Sequence, residues 1–126
     1  TINARVAHQL GFDPLDVIEM IRDAYTPVTR LKSEVEYLDD YRKILLAELT
    51  EDERKRLTAD GEKITEARLD NLARMHPRYA RFLADLREQK RALGDAEAAY
   101  YALRNRHDLA MEEIRFARSE AYLTPR

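Results

Sequence analysis

From Pro77 to about Leu123 nothing interrupts a helical pattern, and the apolar residues in that stretch keep a single register. Tyr79, Phe82, Leu86, Leu93, Ala96, Tyr100, Leu103, Ala110, Ile114, Ala117 and Ala121 follow alternating steps of three and four, with Gln89 and His107 as polar members of the row. A seam kept over so many heptads needs the matching seam of another helix to bury it. At 1.5 Å of rise per residue the helix would run for roughly 70 Å.

A matching row stands earlier in the chain. Val28, Leu31, Val35, Leu38, Arg42, Leu45 and Leu49 repeat the same spacing, and Asp60-Gly61 lies between the two rows as a turn. A short connection brings two such seams together only if the helices run antiparallel, which sets Leu45 beside Arg78 and Tyr79. Punctuation residues divide the rest. Asp13-Pro14 reads as an N-cap followed by proline at the first helical position, where its missing N–H costs nothing. Thr26-Pro27 repeats the device and predicts a second helix start, which would leave Pro14–Tyr25 as a short separate helix. Thr50 and Glu53 have capping-box spacing, so a stop or restart is expected there. His76-Pro77 is biased away from helix at its first residue and starts the long helix at its second.

The expected fold is therefore all-α: an elongated antiparallel helical hairpin, a coiled coil, over 26–126, with a short N-terminal packing helix within 1–25. The whole chain of 126 residues forms one domain. Composition agrees, since 37% of the residues are charged, 8% are aromatic, and Gly and Pro are few. Cysteine is absent, so disulfides and thiolate metal sites are excluded. No apolar run approaches the roughly 18 residues of a membrane span, and a soluble cytoplasmic protein with no membrane partner is expected. The net charge of -2 supplies no global attraction to nucleic acid, so any such binding has to come from local segregation of charge.

The long helix carries a second apolar row. Ala102, Leu109, Phe116 and Leu123 recur every seven residues, flanked by Tyr101 and Tyr122, away from the seam. A helix apolar on two faces needs two partners. One candidate cover is the segment Pro14–Tyr25. The other is a second copy or a partner protein, which makes Tyr101, Leu109, Phe116 and Leu123 candidate interface residues and a homo-oligomer the expected state.

Signals for catalysis are missing. His8, His76 and His107 are far apart, no Glu-x-x-His or His-Glu-x-x-His pair occurs, and no glycine-rich phosphate loop or nucleophile motif is present. The carboxylates Glu34, Glu36, Asp39 and Asp40, with Glu112, Glu113 and Glu120, could gather Mg²⁺ from shared helix faces, but read first as solvated, ion-paired faces. No enzyme, metal or cofactor is expected. The stretch LARMHPRYARFLADLREQKRAL, Leu72 to Leu93, is different because Arg and Lys outnumber its acids. Arg74, Arg81, Arg87 and Arg91 take outward positions in the heptad frame and are candidate phosphate contacts. Lys90 is expected to pair across the hairpin with the acids between Glu34 and Asp40. Tyr79 and Phe82 occupy seam positions and are expected in the core, although both lie near enough to the arginines to stack bases if that end were open.

From Tyr37 to Ser119 the chain reads YLDDYRKILLAEL, a glycine turn, ARMHPRYARFL and then AEAAYYALRNRHDLAMEEIRFARSE. This pattern resembles small helical-hairpin proteins of tailed bacteriophages, some of which are similar in size and helical character to UvsY-type recombination mediators. The resemblance covers about two-thirds of the chain and implies a non-enzymatic accessory role in DNA recombination or replication. It further implies single-stranded DNA or a recombination or replication protein as partner, and the host cytoplasm as location if the chain is phage-encoded. It transfers no residue-level site. The alternative is a protein interaction or assembly module built on the coiled coil.

Overall fold

A computed structural model describes residues 13–123. The fold is an all-α helical hairpin of three helices, with no strand among the described residues. Helix α1 is Pro14–Ala59, α2 is Glu66–Met75 and α3 is Pro77–Leu123. Two compact units divide it: one joins α1 up to Arg30 with α3 from Leu93 onward, and the other is Leu31–Ala92.

Local chemistry sets each helix end. Asp13 caps α1 by accepting the N–H of Leu15 at Oδ1, 2.9 Å away. At the far end Gly61 takes φ +69°, a left-handed value open to glycine at little cost. Glu62 N–H then donates to Leu57 O at 3.0 Å and Gly61 N–H to Thr58 O at 3.2 Å. Those two bonds form a Schellman motif, which satisfies carbonyls that the helix end would otherwise leave open. Thr65 caps α2, its side chain accepting from the Arg68 N–H at 3.2 Å. His76 closes α2 and opens α3: its N–H donates to Ala73 O at 3.2 Å, while its Nδ1 accepts the Arg78 N–H at 3.0 Å.

Two expected breaks do not occur. Pro27 lies inside α1, so Pro14–Tyr25 is the first part of one 46-residue helix rather than a separate packing helix. A proline inside a helix removes one backbone bond and costs about 3 kcal/mol. Burial on either side offsets this, because Val17, Val28 and Leu31 are all buried. Thr50 likewise sits within α1, with its hydroxyl donating to Leu46 O at 2.7 Å instead of capping a new helix. Its would-be capping partner Glu53 accepts from Arg56 at 2.7 Å. In contrast, α2 carries no heptad row, and its existence rests on Leu69 and Ala73, both fully buried.

In the unit Leu31–Ala92 the core gathers Leu45, Leu49, Ala73 and Tyr79, with Tyr41, Leu46, Phe82 and Leu83 packed against it. Leu45 and Tyr79 thus share one cluster, as the matched seams require. Asp39 meets Lys90, Tyr41 meets Phe82, and Glu48 meets Arg78, so numbers rise along α1 as they fall along α3. The two helices are antiparallel. In the other unit Val17 and Ala110 are each 2% exposed, and Tyr25 meets Tyr100 with ring centroids 5.2 Å apart.

Candidate functional site

The α3 seam is buried or half-buried at each position from Tyr79 to Ile114, Gln89 and His107 included, and Ala117 beyond it is exposed. That burial fixes which way the remaining side chains of α3 point. At 100° per residue, Arg81, Arg87 and Arg91 fall within an arc of about 120° centred opposite the seam. All three are exposed. Glu88 shares that arc between Arg81 and Arg91.

Several other cations of this unit are held by carboxylates, whereas Lys32, Arg42, Lys43, Lys55 and Lys63 stand in no ion pair among the described residues. Arg54 pairs with Glu51 at 3.6 Å and Glu66 at 3.2 Å, Arg56 with Glu53, Arg68 with Glu62, Arg78 with Glu48 at 3.6 Å, and Lys90 with Asp39 at 3.7 Å. The hydrogen bonds that Arg56 donates to Glu53, reinforced by the carboxylate charge, raise the guanidinium pKa above its ordinary value and keep it cationic. Arg81, Arg87 and Arg91 form no ion pair among the described residues. Their guanidinium groups are open to an anionic ligand. Arg81 also lines an open groove of about 310 Å³ with Tyr41, Leu45, Arg78, Phe82 and Asp85.

Arg74 does not belong to this set. It stands on α2, on the other side of the His76-Pro77 break, and its Nε donates to Asp70 Oδ2 at 3.0 Å. The heptad frame, extended backward through the break, placed it in line with arginines of a different helix. Tyr79 is 3% exposed and Phe82 is half-buried against Tyr41 and Tyr79, so the seam rings pack in the core.

The second apolar row of α3 is uncovered among the described residues. Leu109 is 62% exposed, Phe116 66% and Tyr101 53%; the Leu123 side chain lies outside the described residues. The expected cover from Pro14–Tyr25 fails for a geometric reason. Because α1 passes through Pro27 unbroken, Val17, Ile21 and Ala24 continue the inward row of Val28 and Leu31, and turn to the seam instead of the outer face. Tyr100, expected only as a seam residue, and Tyr25, given no role by the sequence, join Tyr101 in one aromatic cluster. Their proximity depends on pairing between distant segments, so no local signal marks it.

Among the described residues no group of three or more His, Asp or Glu side chains is gathered to hold a metal, and no helix is long and apolar enough to cross a membrane. No family model, curated protein or solved structure matches the chain.

Proposed function

We propose that this helical hairpin is a non-enzymatic accessory protein of DNA recombination or replication, a scaffold that touches nucleic acid through the phosphate backbone. The observation that carries the reading is the set Arg81, Arg87 and Arg91: exposed, unpaired among the described residues, and turned to one side of α3 while Arg78 and Lys90 beside them are held by carboxylates. Guanidinium groups so placed bind phosphate in any sequence context. The resemblance of Tyr37 to Ser119 to tailed-phage helical hairpins, some of them similar to UvsY-type mediators, points the same way. Fluorescence anisotropy of a labelled single-stranded oligonucleotide tests it. Binding that weakens steeply between low and near-physiological salt is the expected result, and no binding at low salt refutes it.

A second reading, a protein assembly module, is favoured by the exposure of Leu109 and Phe116. Water-facing side chains of that size, seven residues apart on one helix face, lose contact with water only when another molecule covers them. The two readings use different stretches of the outward side of α3, 81–91 and 109–116, and are compatible, since accessory proteins on a polymer gain from being multivalent.

A further inference from the structure

The seam rings Tyr79 and Phe82 pack in the core, but a second aromatic cluster, built on the half-buried seam residue Tyr100, faces solvent. Tyr25 of α1 and Tyr101 of α3 both rest on Tyr100, with centroids 5.2 Å and 5.4 Å away and planes inclined at 50° and 57°. Tyr25 and Tyr101 are each 53% exposed, so about half of each outer ring remains in water. The Arg104 guanidinium lies 5.8 Å from the centroid of the Tyr100 ring, within cation–π range. Arg104 holds the central ring from one side while Tyr25 and Tyr101 flank it.

The charges around this cluster decide which ligand it suits. Within four residues of these rings stand Arg22 and Arg104 and the carboxylates Asp23 and Glu97, so the surroundings are balanced in charge, with the Arg104 guanidinium set near the Tyr100 ring itself. The other exposed tyrosine pair differs in charge. Tyr37 is 67% exposed and stacks on Tyr41 at 6.3 Å, but within four residues of the pair Glu34, Glu36, Asp39 and Asp40 outnumber Arg42 and Lys43. Phosphates would be repelled there. Among the described residues the cluster at Tyr25, Tyr100 and Tyr101 combines open π faces with a guanidinium beside a ring and no excess of carboxylates, the kind of surface on which proteins stack unpaired bases. Bases in a duplex are stacked on one another and cannot reach such rings.

We infer that Tyr25, Tyr100 and Tyr101, with Arg104, form a stacking platform for the bases of single-stranded nucleic acid, apart from the phosphate contacts of Arg81, Arg87 and Arg91. The platform rests on the nucleic-acid reading given above and specifies its substrate as single strands with accessible bases.

The test compares two labelled oligonucleotides of equal length bound by the full chain: an oligothymidine, and an abasic strand that keeps the phosphates and lacks the bases. Stacking predicts tighter binding of the oligothymidine, by about fivefold or more for even one stacked base. It also predicts quenching of tyrosine emission, the natural signal of a chain with seven Tyr and no Trp. In the double variant Tyr25→Leu, Tyr101→Leu the two oligonucleotides should bind alike, at the abasic level, with helicity by circular dichroism retained. Equal affinity of the unaltered protein for both strands overturns the platform and leaves the phosphate reading standing. Failure to bind either strand overturns both, and the comparison on the unaltered protein decides the matter even if the variant does not fold.

Discussion

The ammonium of Lys90 on α3 lies 3.7 Å from the carboxylate of Asp39 on α1, a pair formed between two helices whose residues are distant in sequence. It separates the basic stretch of α3 into cations that serve the hairpin and cations that do not. Both side chains are about half exposed, so the pair contributes at most about 1 kcal/mol. Its value for binding experiments is as an internal control. Lys90→Ala should leave single-stranded DNA affinity within about twofold, because the charge it removes is already matched by Asp39.

Replacing Arg81, Arg87 and Arg91 together by Glu should abolish oligonucleotide binding while leaving helicity and thermal stability nearly unchanged, since none of the three is buried or paired. In the unaltered protein, three phosphate contacts predict a log–log salt slope of about -2. Unchanged affinity in the triple variant would remove these residues from the site. Arg74→Glu, in contrast, should have little effect on affinity, because Asp70 already holds that side chain at 3.0 Å.

Leu109→Ser with Phe116→Ser should lower the assembled mass measured by light scattering and keep most of the helicity. Both side chains are more than 60% exposed within the chain, so their loss removes little from its own core. Leu49→Ala is the contrasting change: Leu49 is 1% exposed in the central cluster, and truncation there should cost about 2–5 kcal/mol in thermal or denaturant unfolding. An identical mass for the double serine variant would rule out the outer face of α3 as an assembly surface.

Gly61→Ala should destabilise the hairpin by about 1 kcal/mol. No neighbouring atom lies within 4 Å of an added Cβ, so the cost is one of backbone conformation at φ +69° rather than of crowding. Chemical denaturation with an unchanged m-value would confirm it. No loss of stability would mean that the turn can be closed in another way.

His76→Ala should cost about 1 kcal/mol and His76→Asn much less, because an asparagine oxygen can replace Nδ1 as acceptor for the Arg78 N–H. Equal stability of the two variants would show that the imidazole contributes nothing as a cap.

Much of the fold was legible in the residues themselves. The α3 seam, its partner row on α1, the Asp13 cap, the new start at Pro77 and the pairing of Lys90 with the acids of α1 follow from periodicity, spacing and sign of charge. Such properties are local, or repeat often enough that one arrangement satisfies them all. Tertiary structure decided the rest. Pro27 did not end a helix, because burial of Val17, Val28 and Leu31 outweighs one lost backbone bond. Ten residues without a heptad row became α2, because Leu69 and Ala73 found a core to enter. The unbroken α1 then turned its first residues to the seam, which left Leu109 and Phe116 in water and brought Tyr25 onto Tyr100. A sequence states which faces are apolar; which of them is covered depends on where the other helices come to lie.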